Sequence, residues 1–326
     1  MTHRETIVRV ALVAVVLIAI LLDIFGGTRW YSVSDLWRPS TKLVGEVIWQ
    51  IRVPRALAAA MTGMLLALAG LLLQTVSHNP LADPSIIGVN AGANLAMIVG
   101  ELLGISLTIL NAFWLSLVGA LLAFVVVIGL SMSGHGFNPL RLLLGGTIFS
   151  GFISSISYAV SFITNTTQQF RVLLVGGFSG ANYQQVLLLG IVVIIVLGGA
   201  VMFQTELTLL GLDSKTSVGL GVSFKRLMII AVVLVVLAAG SSVAVAGNIG
   251  FIGLGIPQIV NFVHPGSFKS NLAAVALCGS GFMLIADLIA KTAISSVELP
   301  LSALSAIVGG VVLFIIVAFR KEAVGA

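Results

Sequence analysis

Long apolar runs separated by short polar segments follow one another along the whole chain. Roughly 20 apolar residues in a helix cross the hydrocarbon core of a membrane, and most of these runs reach that length. We predict an all-α polytopic membrane protein, folded as a single transmembrane domain over residues 1–326. The ten predicted spans are residues 7–25, 56–76, 86–104, 107–132, 140–163, 186–204, 227–246, 249–263, 271–290 and 301–319.

Two of the ten spans are weak, and both carry features typical of a transport pathway. The third span, 86–104, contains the amides of Asn90 and Asn94. An amide inside a span faces a neighbouring helix or a water-filled cavity, so we predict that both residues line a pathway. The eighth span, 249–263, is too short to cross straight and is interrupted by glycines and Pro257, which predicts a broken helix.

The segment between the sixth and seventh spans is unusually charged for this chain. It holds five of the chain's charged residues: Glu206, Asp213, Lys215, Lys225 and Arg226. Helical spacing of its leucines, interrupted by glycines, predicts two short helices within residues 205–226 that lie outside the bilayer. An ordinary solvated loop is the alternative interpretation of this segment by itself.

Composition supports a membrane protein and excludes several other classes. The 326 residues are 59% hydrophobic and 8% charged, whereas a soluble domain is about 25% charged. The net charge of +5 is spread over many short loops, which argues against nucleic acid as a partner. Cys278 is the only cysteine and the four histidines are far apart, so we predict no metal site and no cofactor bound by this chain.

The distribution of basic residues gives a weak indication of sidedness. An even number of spans places both termini on one side of the membrane. With the termini inside, nine of the 16 Lys and Arg fall in inner segments and seven in outer ones. Five of those seven precede the second span: Arg29, Arg38, Lys42, Arg52 and Arg55. An acidic partner outside is one reason for such a concentration.

Six short motifs in order give the chain its resemblance to a known family. They are Arg52–Arg55, Asn79–Pro84 with Ile87–Val89, Leu210–Gly221, Gly250–Pro257, Ala286–Lys291 and Glu298–Pro300. The chain resembles permease subunits of the type II ABC importers for iron chelates and cobalamin. The resemblance implies a multi-pass permease of a prokaryotic cell membrane, with both termini cytoplasmic.

The resemblance also implies partners and site residues on the inner side. Two permease subunits pack around a central pathway, and two separate ATPase subunits, which use the ATP, receive the two short helices as coupling helices. The implied ATPase-docking residues are Leu212, Asp213, Ser214, Lys215, Ser217, Gly219 and Leu220. The implied cytoplasmic gate comprises Asn79, Pro80, Leu81, Asn138 and Pro139, although a simple helix-stopping turn also explains Asn138 and Pro139.

On the outer side, the resemblance implies an extracytoplasmic substrate-binding protein that docks through charged residues. Arg52, Arg55, Lys291 and Glu298 match such positions. Snorkelling at the membrane edge is the alternative for Arg52 and Arg55, and a local ion pair with Asp287 is the alternative for Lys291. Glu298 either caps the start of the last span or faces the binding protein.

The chain departs from the family pattern at three positions. Gln258 and Asn261 stand where relatives usually carry histidine and arginine, and Phe178 stands where tryptophan is frequent. These departures favour a heterodimer with a divergent paralogue over a homodimer.

By resemblance, the expected cargo is a ferric siderophore or haem, with cobalamin as the alternative. A serine-, asparagine- and glycine-lined pathway suits a bulky polar cargo better than a bare ion. No phosphate-binding loop is present, so ATP must be hydrolysed by another polypeptide and the chain is not an enzyme. A secondary transporter driven by an ion gradient remains a rival, for which Asp287 is the best candidate residue.

Overall fold

A computed structural model describes residues 3–133, 136–211, 219, 223–294 and 297–319, and in these ranges the chain is almost entirely helical. The α-helices are α1 (His3–Phe25), α2 (Lys42–Glu46), α3 (Val53–Ser77), α4 (Val89–Leu102), α5 (Ile109–Ser131), α6 (Pro139–Ile163), α7 (Thr167–Val175), α8 (Tyr183–Met202), α9 (Gln204–Leu210), α10 (Phe224–Ala246), α11 (Ile252–Val263), α12 (Phe268–Thr292) and α13 (Leu301–Phe319). Two strands of two residues, β1 (Met132–Ser133) and β2 (Gly136–Phe137), pair antiparallel between α5 and α6.

A helix lies at each predicted span, but the helices differ in length. Within the described residues, seven helices are long and apolar enough to cross a membrane. Of the others, α11 and the Leu301–Val311 part of α13 are shorter apolar helices, and α4 has 14 residues. An all-helical membrane fold is therefore confirmed, whereas the count of ten spans stays a prediction.

The long helix α3 is the centre of the bundle. It packs against α1, α8, α10, α11 and α12. Helix α2 leads into it through a π-helical segment, Val47–Arg52, so that Lys42–Ser77 forms one helical run, 83% buried over its most apolar window. Pro54 stands at the start of α3 and lacks an N–H, which disturbs the α-helical hydrogen bonds of the preceding turn. The wider π turn accommodates that disturbance.

Glycines permit the closest helix crossings in the bundle. A Cβ built on Gly63 of α3 would lie 2.2 Å from the carbonyl oxygen of Gly279 on α12, and a Cβ on Gly279 would lie 2.4 Å from that of Gly63. Gly92 and Gly119 form the same reciprocal contact between α4 and α5, at 2.4 and 2.2 Å. Small residues at such crossings let backbones approach where lipid provides no hydrophobic drive for helix association.

The outer surface of the bundle is apolar, but α6 differs from the other long helices. Only 11% of its most apolar window is buried. Its exposed face carries Thr147, Gly151 and Ser155 at four-residue intervals among large apolar side chains such as Ile148 and Phe152. Apolar surface of this extent on a monomer is typical of contact with lipid or with another subunit.

Connecting segments gather at two opposite ends of the bundle. The α7 end comprises α7, the start of α3 and the residues after α12. The link from α10 to α11 lies between the two ends: Gly177 N–H donates to Ala246 O and Asn248 N–H to Leu173 O beside α7, and a Cβ built on Gly250 would lie 3.5 Å from Ser85 Oγ. The α9 end comprises the turn 78–85, α9 and the start of α12. The prediction that the termini are cytoplasmic would place the α9 end inside.

Candidate functional site

The turn 78–85 at the α9 end is held in shape by its own polar groups. His78 closes α3 in the left-handed conformation, with φ 49° and ψ 34°. The side chain of Asn79 accepts a hydrogen bond from Leu81 N–H at 3.0 Å, and Asp83 Oδ1 accepts one from Ser85 N–H at 2.7 Å. The Leu81 side chain is left half exposed. Local hydrogen bonds of this kind are typical of asparagine and aspartate in turns.

Two glutamines connect the turn to α11. Pro257 lies inside α11 and has no N–H, so the carbonyl of Gly253, four residues earlier, has no helical donor. Gln74 Nε2 donates to that carbonyl oxygen at 3.0 Å. Gln258 Nε2 in turn donates to Gln74 Oε1 at 2.9 Å and to Pro80 O at 3.0 Å. The end of α3, the turn and α11 are thus joined through side chains.

Asp83 faces the amino-terminal turn of α11. A Cβ built on Gly253 would lie 3.0 Å from Asp83 Oδ2, and the Leu254 N–H stabilises the charged carboxylate. A negative charge there is favourable because helix N–H groups are unpaired at the first turn. Burial is the larger effect, however, and it raises the pKa of the Asp83 carboxyl above its ordinary value.

Helix α9 is attached to both of its neighbours at this end. His78 Nε2 lies 2.7 Å from Leu210 O, the last carbonyl of α9. On the other side, Lys269 N–H donates to Thr208 Oγ1 at 3.1 Å, which joins α9 to the start of α12. A cavity of ≈ 460 Å³ lies among these elements and is lined by residues of the turn, α9, α11 and α12.

The structure shows the local contacts of some residues predicted to act on the inner side, but it does not test their roles. Asn138 accepts hydrogen bonds from Leu140 N–H at 3.0 Å and Arg141 N–H at 3.2 Å, and Pro139 is the first residue of α6. Both residues thus have a helix-capping role, and a gate role for them stays a prediction. Of the predicted ATPase-docking residues, six lie outside the described residues: Leu212, Asp213, Ser214, Lys215, Ser217 and Leu220. Gly219 is described, and it is exposed.

A cluster of five charged side chains lies at the α7 end and joins α1, α3 and α12. Arg55 Nε and Nη2 donate to the two carboxylate oxygens of Asp287 at 2.8 and 2.9 Å. The same guanidinium donates to both oxygens of Glu298 at 2.7 and 3.1 Å. Arg55 and Asp287 are buried, whereas the Glu298 side chain is 48% exposed. Bidentate hydrogen bonding of this kind matches the planar guanidinium group and fixes its orientation.

Lys291 extends the cluster to the first helix. Its Nζ lies 2.7 Å from Asp23 Oδ1 and 3.7 Å from Asp287 Oδ2, and it donates to the main-chain carbonyl of Asp23. The ion pair with Asp23 lacks the alignment of a hydrogen bond, and neither oxygen of that buried carboxylate has a hydrogen-bond partner among the described residues. The four buried members, Arg55, Lys291, Asp23 and Asp287, sum to zero charge.

Arg52 lies beside the cluster and holds the segment that follows α1. Its guanidinium donates to Ile24 O, Phe25 O and Arg29 O at 2.8–3.1 Å. It also stacks over the ring of Tyr31 at 4.4 Å, a cation–π contact. The residue is partly exposed.

A cavity of ≈ 800 Å³ opens next to the charged cluster. Arg55, Asp287 and Glu298 line one wall, while Gln168 and Arg171 of α7 line another. In this conformation the charged groups of Arg55 and Lys291 are engaged inside the chain, and Glu298 is the exposed member. Docking of a binding protein through Arg52, Arg55, Lys291 and Glu298 stays a prediction. The ion pair of Lys291 with Asp287 is present, alongside the closer pair with Asp23.

The predicted pathway residues Asn90 and Asn94 are both buried. Asn90 Nδ2 donates to Asn248 Oδ1 at 2.7 Å and to Ile249 O at 3.3 Å, in the link between α10 and α11. The Oδ1 atoms of both amides have no partner among the described residues. A pathway role for these amides stays a prediction.

Sequence reasoning missed Asp23, which joins helices at the α7 end, and Gln74 and His78, which join elements at the α9 end. Asp23 lies at the end of the first apolar run, where a charged residue is ordinary. Gln74 and His78 lie in or next to a polar turn, where a solvated side chain is expected. The one available signal was Pro257, because a proline inside a helix frees a carbonyl that some distant donor must satisfy.

Comparison with known proteins gives one consistent result. The FecCD transport family matches residues 15–319. A ferric citrate import permease of Bacillus subtilis is 31% identical over 306 residues, covering 90% of this chain and 91% of the relative. An iron(III)-hydroxamate import permease of the same organism is 30% identical and covers 94% and 82%. A vitamin B12 import permease of Yersinia enterocolitica is 35% identical and covers 91% and 88%.

Solved structures agree with the sequence relatives. The fold matches an inward-facing structure described as a metal-chelate type ABC transporter, with a TM-score of 0.84 and 27% identity, over 96% of this chain and 99% of that one. PsaBC from Streptococcus pneumoniae matches with a TM-score of 0.60 at 14% identity, over 87% and 93%, a level that shows the shared fold alone.

Proposed function

The chain belongs to the FecCD transport family, whose relatives are permeases of type II ABC importers for iron chelates or vitamin B12, and on that premise we propose that it carries a ferric chelate into the cytoplasm. The observation that supports this cargo is the structural match, over 96% of the chain, to a metal-chelate type transporter. Ferric citrate and ferric hydroxamate permeases among the relatives support it further.

Vitamin B12 is the second candidate cargo. The 35% identity to a vitamin B12 permease favours it, and no described side chain distinguishes the two. Haem belongs with the ferric siderophores in the first proposal, ahead of vitamin B12. The substrate must therefore be assigned by transport rather than by resemblance.

Uptake of radiolabelled ferric citrate, ferric hydroxamate, haem and cobalamin by cells with and without the gene tests the proposal. We expect deletion to abolish uptake of one iron compound and to leave cobalamin uptake unchanged. Lost cobalamin uptake with unaffected iron uptake would overturn the choice of cargo. Uptake in sealed vesicles that follows a proton gradient and ignores ATP would overturn the importer class and favour a secondary transporter.

The proposal includes ATPase subunits, which dock on residues 212–220, and a binding protein, which docks at the α7 end. The family works with partners of both kinds. Helix α9 leads directly into the docking segment, which supports the first assignment. The exposed Glu298 and the partly exposed Arg52 at the α7 end support the second. Copurification of an ATPase that is lost when residues 212–222 are deleted tests the first assignment.

A second permease subunit completes the proposed importer. The exposed face of α6, with Thr147, Gly151 and Ser155 at four-residue spacing, supports close approach of another helix within the membrane. We favour a divergent paralogue over a second copy as the partner, because of Gln258 and Asn261. Purification of the tagged chain with its neighbours coexpressed distinguishes the two, since a homodimer would contain one permease species and a heterodimer two.

A further inference from the structure

One hydrogen bond joins the element that leads into the proposed ATPase-docking segment to the turn at the end of α3. Leu210 O is the last carbonyl of α9, and the docking segment begins two residues later. His78 Nε2 lies 2.7 Å from this oxygen. Because a carbonyl oxygen can only accept, the Nε2 atom of His78 must carry the hydrogen. Any displacement of the end of α9 therefore acts on the His78 ring.

The His78 ring is connected stiffly to the turn. The residue has a left-handed backbone conformation, with φ 49°, which a non-glycine residue keeps only when its surroundings enforce it. The next N–H, of Asn79, donates to Gln74 O at 3.2 Å, and Asn79 itself fixes Leu81. A force on the ring is thus passed to the backbone of the turn instead of being absorbed by a flexible loop.

A second joint continues from the turn to the broken helix. Gln258 Nε2 donates both to Pro80 O, at 3.0 Å, and to Gln74 Oε1, at 2.9 Å. Gln74 Nε2 reaches the carbonyl of Gly253 that Pro257 leaves without a helical donor. The contacts form one unbroken series from α9 through the turn to α11. The links between α9, the turn, α3 and α11 are all hydrogen bonds, and the remaining bonds lie inside the turn itself.

The same region has room for movement. The ≈ 460 Å³ cavity is bordered by His78, Asn79 and Pro80 on one side and by Leu207, Thr208 and Gly211 on another. A closely packed interface resists displacement, whereas a cavity at this junction lets α9 and the turn change their separation. A direct hydrogen bond across such a junction helps the two elements to move together.

We propose that His78 is a positioning residue that couples the ATPase-docking segment to the turn 79–85 and, through Gln74 and Gln258, to α11. This inference rests on the proposed function, since it assigns a route by which ATP-driven movement reaches the membrane helices. It is separate from the docking residues themselves, because His78 lies at the end of α3 and contacts the main chain of α9.

Reconstituted importer, containing the full chain with its ATPase, its partner permease and its binding protein, is the material for the test. ATP hydrolysis and uptake are measured in the same vesicles with radiolabelled ferric citrate, ferric hydroxamate, haem and cobalamin. The variants are His78→Ala, which removes the donor, and His78→Gln, which retains a side-chain N–H donor. Ser77→Ala is the matched control, because the buried Ser77 hydroxyl donates to Leu73 O, so its hydrogen bond lies within α3.

The wild-type importer should move one of these compounds in an ATP-dependent manner. His78→Ala should lower the cargo moved per ATP by about fivefold, the net value of one hydrogen bond, while ATP hydrolysis and complex assembly persist. His78→Gln should recover most of the ratio, and Ser77→Ala should leave it at the wild-type value.

The alternative outcomes separate this inference from the proposed function. An unchanged ratio in His78→Ala, or a ratio that His78→Gln fails to recover, overturns the role of His78 and leaves the importer assignment standing. Uptake and hydrolysis that fall together with assembly identify His78 as merely structural and also overturn it. A wild-type complex without ATP-dependent uptake of any of the four compounds overturns the proposed function, and this inference with it.

Discussion

Replacing Lys291 by methionine tests the charged cluster at the α7 end most directly. Methionine has nearly the length and volume of lysine but no charge, so the substitution removes an ammonium group and little packing. In the part of the chain that the structure describes, Lys291 is the cation within ion-pair distance of Asp23, at 2.7 Å. Asp287 keeps its paired contact with Arg55. The variant therefore leaves a single, fully buried carboxylate without a counter-charge.

The magnitude follows from the burial of Asp23. Its side chain has no exposed surface, and breaking a buried ion pair from one side costs about 3–5 kcal/mol. At roughly 2 °C per kcal/mol for a chain of this size, the melting temperature should fall by about 6–10 °C. Asp23→Asn should cost less, because Lys291 keeps Asp287 at 3.7 Å and the main-chain carbonyl of Asp23. The double variant should recover part of the loss, with a coupling energy of about 2 kcal/mol.

Thermal unfolding of the four proteins in lipid nanodiscs, at one scan rate, gives the complete double-mutant cycle. Should Lys291→Met fail to accumulate in the membrane, its abundance with and without Asp23→Asn provides the same comparison. Glu298→Gln is a useful control, since its carboxylate is 48% exposed and Arg55 keeps both hydrogen bonds to Asp287, so the loss should be smaller than for Lys291→Met. Effects of Lys291→Met and Asp23→Asn that simply add, within about 0.5 kcal/mol, would refute our account of the pair.

Two further predictions concern helix packing and the turn 78–85. Gly63→Ala or Gly279→Ala should destabilise the bundle by about 1–3 kcal/mol or more, because each new methyl group meets a facing carbonyl oxygen at 2.2–2.4 Å. The controls Gly129→Ala and Gly198→Ala have open space at the Cβ position and should melt near the wild-type temperature. Equal losses of stability in both pairs of variants would contradict this prediction. Burial raises the pKa of the Asp83 carboxyl above its ordinary value of 3.8. Between these two pKa values the folded protein keeps a proton that the unfolded chain has lost. The free energy of unfolding should therefore fall as pH rises from about 4 through the raised pKa. Asp83→Asn should abolish that fall in a melting series across pH, and an identical fall in the variant would exclude Asp83 as its source.

The helical membrane fold could be predicted because only a few kinds of backbone structure can span a bilayer. Backbone polar groups have no water to bind in the hydrocarbon region, so long apolar runs must form helices. The family could likewise be identified from motifs such as Asn79–Pro84 and Gly250–Pro257. These motifs contain the helix-breaking residues that set the turn and the interrupted helix, and such residues impose the same local geometry wherever they occur.

The pairing of side chains could not be predicted, because it depends on which helices meet. Sequence spacing suggested the pair of Asp287 with Lys291 on one helix, and it is present at 3.7 Å. The shorter contacts join residues more than 200 positions apart, Arg55 with Asp287 and Lys291 with Asp23. A row of basic residues before the second span suggested a rim facing outward, yet Arg55 is turned inward by Asp287 and Glu298. Tertiary packing decided that orientation.

The partnership of Asp23 with Lys291 has a consequence for how the chain is made. The two residues are 268 positions apart, which corresponds to roughly 15–50 s of synthesis at about 5–20 residues per second. Throughout that interval the first span resides in the bilayer with an acidic group whose counter-charge has not yet left the ribosome. Asp23 on α1 therefore waits for the end of α12 before it can pair, and a message cut short before codon 291 would leave this buried carboxylate without the ammonium group of Lys291.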